Sequence, residues 1–542
     1  MRSRRKRGAG RPAAKSVVTP APRFPWLLCG LAVLLAALPY LGSLGNAFAY
    51  DDLATIVGNT SIRHPVAWRS VFAYALFRPA VNASYAIDSF FWGLDPFGFH
   101  LTNLLLHAAN TGLLFLLAWC AVRDGAKARA SDPQPRWAAL PAFLFAVHPL
   151  QVEAVAYASA RSELLCALFS LLALLAFRRA AASGRLRWLV PALVAMLLGL
   201  ACKEVAAMLP LLAWAYDRLF QPQDPGVRRR QLVLYLPPLV VVAAVGCVRL
   251  AIYFGREAAG ASSFVGRNLL LQIKVLWHYL ALLVLPVGQS VVHEFREVGS
   301  AFEPGVLAAE LGLAGLLFVA WRLRRREPRI TFGILWLLLI LLPSSSIVPM
   351  AEPMAEHRMY LASAGVFLAF AGLAASLAAR FAGPASMRVA GAATVVVILA
   401  LVAATVARAR VWRDPVTLWS DAAIKAPHTY AVHYALGESL RDRGDCPAAI
   451  VEYQRAIERV PDQPDAWTNL GICRAETGAL AEAEAAFLRG LALDPSRAGL
   501  HYNLGMVARL RGDAAAAHQH FLDAVKVDPT HEKAQRALSA GY

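Results

Sequence analysis

Charge is scarce in this sequence. Asp, Glu, Lys and Arg together make up 17% of 542 residues, while 58% are hydrophobic. Soluble domains carry about a quarter charged residues, and a mean hydropathy of +0.48 excludes an ordinary soluble protein of this length. The chain reads instead as one that crosses a membrane repeatedly. Acidic residues are missing altogether from positions 1–23, which hold eight basic ones, Arg2, Arg4, Arg5, Lys6, Arg7, Arg11, Lys15 and Arg23. Beside an apolar stretch, such a tail is a positive-inside topology signal, and no nucleic-acid partner is expected. Cysteine is also sparse. Cys29, Cys120, Cys166, Cys202 and Cys247 lie in or beside apolar stretches, as small buried hydrophobes do. Cys446 and Cys473 lie in the polar tail, where a disulfide stays open if the tail is extracytoplasmic. There is no CxxC pair, no P-loop and no GxSxG.

What is abundant is apolar runs. They predict spans at about 24–44, 100–121, 137–157, 162–177, 188–202, 205–220, 232–253, 306–321, 330–348, 359–379 and 388–408. The first is too long for a signal-peptide core and has no clear cleavage site after it, so it reads as a retained anchor. Basic loops at Arg123–Arg136, Arg178–Arg187, Arg218–Arg230, Arg322–Arg329 and Arg380–Arg388 are expected in the cytoplasm, with the N-terminus. A twelfth apolar stretch, Leu269–Pro286, is decided by parity. Span 232–253 leaves from Arg228-Arg229-Arg230, and span 306–321 must return to Arg322-Leu323-Arg324-Arg325-Arg326. The stretch between them therefore does not cross completely. It also carries Lys274 and His278 and reads as a re-entrant or interfacial helix. The expected fold class is all-α: a polytopic membrane helix bundle of about 11 spans plus that one helix, then a C-terminal solenoid outside the cytoplasm.

From Tyr430 on, basic residues number 12 against 15 acidic ones, so the whole surplus of +18 lies in the preceding part. This tail repeats every 34 residues, over 430–463, 464–497 and 498–531. Leu436-Gly437 matches Leu470-Gly471 and Leu504-Gly505; Ala449, Ala483 and Ala517 align, as do Tyr453, Phe487 and Phe521. Ala456, Gly490 and Ala524 recur, and Pro461, Pro495 and Pro529 close the units. Small residues allow close helix approach, the aromatic fills the gap and proline ends the second helix. The pattern resembles the tetratricopeptide repeat. Val411–Pro427 reads as a partial preceding unit and Lys533–Tyr542 as a capping helix. The expected domains are a basic cytoplasmic tail over 1–23, a membrane domain over 24–410 with a first outer loop over 45–99, and the repeat domain over 411–542.

Polar residues with chemical capacity gather in the expected outer loops. Asp51 and Asp52 follow the first span. Arg78, Asp88 and Asp95 share their loop. Glu153, Arg161 and Glu163, then Lys203 and Glu204, then Glu356, His357 and Arg358 occupy later outer turns. Ionisable groups at such depths are costly unless the site is wet and used. A carboxylate there can take a proton from a hydroxyl nucleophile, which makes Asp51 and Asp52 the catalytic candidates: one is the base, Asp51 being favoured, and the other orients it or binds a cation or the sugar. Cations stabilise a departing anion, and Arg358, Arg161, Arg78 and Lys203 are candidates. His100 and His107 share a helix face but are too few for a metal site; His148 precedes Pro149 where a kink can open a cavity. No metal-ligand set is indicated, and metal need stays open.

Taken in order, Tyr50-Asp51-Asp52, Phe77-Arg78-Pro79, Gly93-Leu94-Asp95-Pro96-Phe97-Gly98-Phe99-His100, Asn103 to His107, His148-Pro149 with Glu153, Arg161-Ser162-Glu163, Lys203-Glu204 and Ala355-Glu356-His357-Arg358-Met359-Tyr360-Leu361 resemble the GT-C class of multi-spanning glycosyltransferases. The likeness is greatest to the transmembrane and tetratricopeptide repeat-containing O-mannosyltransferases and their bacterial relatives. Ala362 stands where that family commonly has proline, and three repeats are fewer than its animal members carry. The resemblance implies transfer of a sugar, with mannose and Ser/Thr hydroxyls favoured. The donor would be a polyprenyl-phosphate-linked sugar in membrane lipid, and the acceptor a protein or peptide bound by the repeats, or another hydroxyl such as that of a glycan or lipid. Transfer would take place on the extracytoplasmic face of the membrane; Ala- and Arg-rich usage without long loops points to a bacterial source and so to the inner membrane. The resemblance also implies substrate-binding roles for Arg78, Asp88, His100, His148, Glu153, Arg161, Glu163, Lys203, Glu204, Glu356, His357, Arg358 and Tyr360. The competing class is a membrane-anchored repeat scaffold without catalysis. A transporter predicts inverted repeats and midplane charges, and the sequence shows neither.

Overall fold

A computed structural model describes residues 23–63, 67–128, 133–221, 227–257, 265–296, 298–345, 352–381 and 383–540. The basic tail over residues 1–22, and the last residues of the span expected at 330–348, lie outside the described residues. Among these residues the fold is entirely helical, as the composition implied. Many helices open on proline at their first position, among them Pro79, Pro96, Pro304, Pro328, Pro384, Pro415 and Pro464. There its fixed φ fits and its missing N–H is no loss.

Every one of the eleven expected stretches coincides with a helix or a pair of helices. Seven are long and apolar enough to cross a membrane: Trp26–Gly45, Pro96–Ala126, Ala158–Ser183, Gln231–Val248, Pro304–Leu323, Glu356–Arg380 and Pro384–Val411. An eighth is Arg136–Val147 with Pro149–Ala156, if the two count together across their 56° bend. The other three stretches form shorter helices. Leu189–Leu200 and Leu209–Phe220 have 12 residues each, about 18 Å at 1.5 Å per residue, against a hydrocarbon core of about 30 Å. They flank the buried Lys203, so a functional-looking turn sits between two half-length helices. Pro328–Leu341 has 14 residues.

The ambiguous stretch forms the Val265–Val284 helix, which is not among the span-length apolar helices. It is pinned to the turn around Pro353. Gln272 donates to the Pro353 carbonyl at 2.9 Å, and the Tyr279 hydroxyl donates to Ala355 O at 2.8 Å while accepting from its N–H at 3.1 Å.

The C-terminal region is three helical hairpins, Tyr430–Asp442 with Cys446–Arg459, Pro464–Glu476 with Leu480–Leu493, and Ala498–Leu510 with Ala514–Val527, closed by Glu532–Ser539. The recurrent glycine explains the tight hairpins. A Cβ at Gly437, Gly471 or Gly505 would lie 2.5–2.7 Å from the ring of Tyr453, Phe487 or Phe521. Cys446 and Cys473 are buried free thiols.

The solenoid does not stand off on a linker. Its first helix, Pro415–Lys425, and the turn before it dock on the loops of the membrane part. The Ala47 N–H donates to Arg413 O at 2.9 Å, and Lys425 donates to the Gln289 carbonyl. Glu294 accepts from His428 N and Thr429 Oγ1 at 2.8 and 3.0 Å. The Trp412 ring stacks on Tyr157 at 5.1 Å, and Trp419 meets Tyr50 edge-on at 5.4 Å.

Candidate active site

The loop after the first helix is fixed by a backbone that few side chains accept. Tyr50 is the one non-glycine residue with positive φ among the described residues, at +55°, a conformation that costs of order 1–3 kcal/mol and persists where surroundings dictate it. Its surroundings do so: the Tyr50 hydroxyl donates to Glu352, and its ring lies between Tyr157 and Trp419. Directly after this turn the two aspartates part. Asp52 is 1% exposed; its carboxylate accepts from the N–H of Ser159 at 2.7 Å and of Ala49 at 3.1 Å. Asp51 is exposed, held through its backbone N–H on the Tyr157 hydroxyl at 3.2 Å. Burial pushes the Asp52 carboxyl up from 3.8 to about 6; the Ser159 and Ala49 donors pull the other way, and the Asp51 charge adds to the rise. Burial likewise raises Glu352.

The turn Tyr157–Ala160 that grips Asp52 lies between two further candidates. Glu153, on the helix before it, meets His357 Nδ1 at 2.6 Å, and His357 Nε2 lies 3.9 Å from Glu163. Glu163 in turn pairs with Lys203. The result is a chain of polar contacts, Glu153–His357–Glu163–Lys203, contributed by four separate segments. Glu356 accepts from Gln289 Nε2 at 2.8 Å, Ser290 N at 2.7 Å and His293 Nε2 at 3.0 Å, which fastens the segment after Val284 over the cluster. Arg358 uses two of its five donors on the carbonyls of Glu352 and Pro353, at 3.0 and 3.3 Å. Arg78 is exposed at the start of Pro79–Trp92, and the Ala80 N–H bonds Ala201 O at 3.3 Å, which sets this turn against the one that carries Lys203. Glu204 sits beside Lys203, half-buried.

Other expected residues lie in separate buried knots. Arg161 is 0% exposed and fully engaged: it pairs with Asp88, donates to Asn103 Oδ1 at 2.9 Å and Phe99 O at 2.8 Å, and lies 4.8 Å from the Tyr85 ring centre. His100 is buried on the Pro96–Ala128 helix. Tyr360 joins His107 Nδ1 at 2.9 Å and Asn110 at 3.2 Å. His148 sits at the 56° break, accepting from Leu150 N and bonding Leu283 O, both at 3.2 Å. The bonds of Arg161, Tyr360 and His148 lock helices together.

Sequence reasoning placed Glu352 in the last outer turn with Glu356, His357 and Arg358, but did not single out Tyr157, Ser159, Gln289 or His293 as site residues. Tyr157 and Ser159 look like ordinary turn residues, and His293 sits in a non-helical segment with no periodicity to interpret. A cavity of about 630 Å³ opens between His293–Arg296, Glu352–Met354 and His428-Thr429, where the site and the solenoid meet.

Fold and site together define a multi-pass helical membrane protein with a tetratricopeptide-repeat tail and a charged cluster at the junction. The tetratricopeptide repeat family model matches residues 434–498. The chain's homologues are protein O-mannosyl-transferases. It is 25% identical over 456 residues to Protein O-mannosyl-transferase F38B6.6 of Caenorhabditis elegans, covering 80% of this chain and 62% of that protein. It is also 25% identical over 522 residues to Protein O-mannosyl-transferase TMTC1 of Homo sapiens, covering 83% and 57%. The chain thus spans about three-fifths of the length of the curated relatives it matches. Among solved structures, ArnT from Cupriavidus metallidurans bound to undecaprenyl phosphate shares 17% identity at a TM-score of 0.34, over 88% of this chain and 80% of that one.

Proposed function

We propose that this chain is a membrane glycosyltransferase that moves a sugar from a polyprenyl-phosphate-linked donor to a hydroxyl of a protein acceptor. In this reading residues 24–410 form the catalytic unit and 411–542 the repeat domain, with Ser/Thr as the acceptor side chains. The names of the homologues support the class. The observation that carries the mechanism is the divided aspartate pair. One carboxylate is exposed on a rigid turn, and the other is consumed in holding that turn.

Asp51 takes the proton of the acceptor hydroxyl as its oxygen forms a bond to the sugar C1. The bond from C1 to the phosphate oxygen breaks, and the electron pair leaves with the polyprenyl phosphate. Arg358, Arg78 and Lys203 offset the growing negative charge, and His357 holds Glu153 by a hydrogen bond and lies beside Glu163. Asp52, Glu153, Glu163 and Glu356 position these groups; Arg161, Asp88, His100, His148 and Tyr360 fix the helices that present them. The cavity at His428 is the entry for an acceptor held by the repeats. The basic loops and parity argue that the site and the repeats face the extracytoplasmic side.

In membranes supplied with lipid-linked sugar, Asp51→Asn is expected to abolish transfer, by a factor of 10² or more. Asp52→Asn should lower it with an unchanged acceptor KM. Wild-type rates in the Asp51→Asn enzyme at normal expression would overturn the assignment.

A further inference from the structure

The third repeat holds a group of donors that the transfer reaction does not use. His501 on Ala498–Leu510 and His520 and Asp523 on Ala514–Val527 bring one ligand atom each to within 4.8 Å of one another, all three half-buried. Among the described residues this is the one such cluster of three or more His, Cys, Asp or Glu side chains. His520 and Asp523 are three residues apart, on one helix face. His501 reaches them because Gly505 lets the two helices close on the Phe521 ring, where a Cβ would sit 2.5 Å from it.

The ring Nδ1 atoms of both His501 and His520 are buried without a hydrogen-bond partner. Two orphaned nitrogens side by side are costly, and a cation between them removes the cost. Gln519 Nε2 donates to Asp523 Oδ1 at 3.2 Å, the kind of outer contact that orients a ligating carboxylate and leaves its other oxygen for an ion.

The repeat period supplies an internal comparison. The same three positions are His433, Glu452 and Arg455 in the first repeat and Trp467, Ala486 and Arg489 in the second. In the first, His433 Nδ1 meets Glu452 at 2.7 Å and Arg455 closes on the other Glu452 oxygen at 2.7 Å, so the repeat brings its own cation. In the second no His or carboxylate is present. Only the third has a carboxylate in place of the arginine and histidine at both other positions, which leaves three Lewis bases and no internal cation.

We propose that His501, His520 and Asp523 form a divalent-metal site in the third repeat, with Zn²⁺ as its ion. Two imidazoles and one carboxylate suit Zn²⁺ and leave a fourth position open; Ca²⁺ and Mg²⁺ ask for all-oxygen shells. In a tetrahedral shell at about 2.0–2.1 Å the donors stand about 3.3 Å apart, so side-chain rotations of about 1 Å close the site. The metal would clamp the last hairpin and offer its open position to water or to a bound acceptor.

The test uses the full chain in detergent, stripped with EDTA and dialysed against Zn²⁺, with bound metal read by elemental analysis. Wild type is expected to retain one equivalent more than His520→Ala and Asp523→Asn, while His518→Ala, an exposed histidine two residues away, retains the wild-type amount. Co²⁺ in place of Zn²⁺ should give visible d–d bands in wild type that both site variants lose. Equal Zn²⁺ in wild type and the near-isosteric Asp523→Asn protein, with matching circular dichroism, overturns the proposal. Should a variant lose its helical spectrum, the wild-type Co²⁺ spectrum decides alone, and absence of the bands overturns it.

Discussion

At the residue scale, the fate of two adjacent carboxylates depends on the φ of the residue before them. Tyr50 at +55° turns the chain so that Asp52 enters the protein and Asp51 stays outside. The sequence points to the pair as catalytic candidates. How the two part was not legible there, because the split rests on contacts with Ser159 and Glu352, far along the chain. The separation has a measurable sign. The folded Asp52 titrates at about 6, against 3.8 unperturbed, so the folded state binds this proton more tightly than the unfolded chain does. Its contribution to stability is therefore fully present below about pH 3.8 and lost as pH rises through about 6. At 1.36 kcal/mol per unit the loss is about 3 kcal/mol. Thermal unfolding in detergent should show Asp52→Asn gaining stability relative to wild type between pH 4 and pH 7; a constant difference over that range contradicts it. Transfer by wild type should fall below about pH 6, where Asp52 takes up a proton that disturbs one of its two accepted bonds, and this limb should vanish in Asp52→Asn. The zinc-site residues were still harder to see. Only the hairpin brings His501 to His520 and Asp523, and no local spacing announces it.

At the element scale, apolar runs located the helices well but overstated the lengths of three and understated others such as Arg161–Ser183 and Pro384–Val411. Of the three shorter helices, Leu189–Leu200 and Pro328–Leu341 are strongly apolar, whereas Leu209–Phe220 carries Asp217 and Arg218, and hydropathy alone does not register where each ends. The 34-residue period was fully legible, because close packing repeats its demand for a small residue and an aromatic in every unit. The non-helical segment after Val284 was not legible, although it covers Glu356 through Gln289, Ser290 and His293. Element packing also carries a prediction. Pro328–Leu341 crosses the helix that begins at Met359 with almost no gap: a Cβ at Gly333 would sit 2.2 Å from the Gly365 carbonyl oxygen and 2.8 Å from Ala369 Cβ. This contact seats Met359–Arg380, whose first turn follows Glu356, His357 and Arg358. Overpacking of this kind costs about 1–3 kcal/mol. Gly333→Ala should lower the unfolding temperature and the transfer rate together, whereas Gly391→Ala, with nothing within 4 Å of the added carbon, should change neither.

At the scale of the whole molecule, topology and docking are independent lines that meet. We propose from charge counting that the C-terminal tail lies on the extracytoplasmic side, which requires an odd number of crossings. Docking says nothing about which side that is, but it binds the solenoid to the site. Trp412 on Tyr157, Trp419 on Tyr50, Arg413 on Ala47 and Glu294 on His428-Thr429 all join the repeats to the loops that hold Asp51, Glu352 and Glu356. Whichever face carries the repeats therefore carries the aspartates, and a donor whose phosphate lies at that face is the one the site can use. A phosphatase that folds only outside the cytoplasm, fused after Tyr542, should be active. A stable but inactive fusion would place the solenoid in the cytoplasm. Because the two are packed together, it would move Asp51 there as well, and with it the sugar donor to a lipid exposed on the inner leaflet.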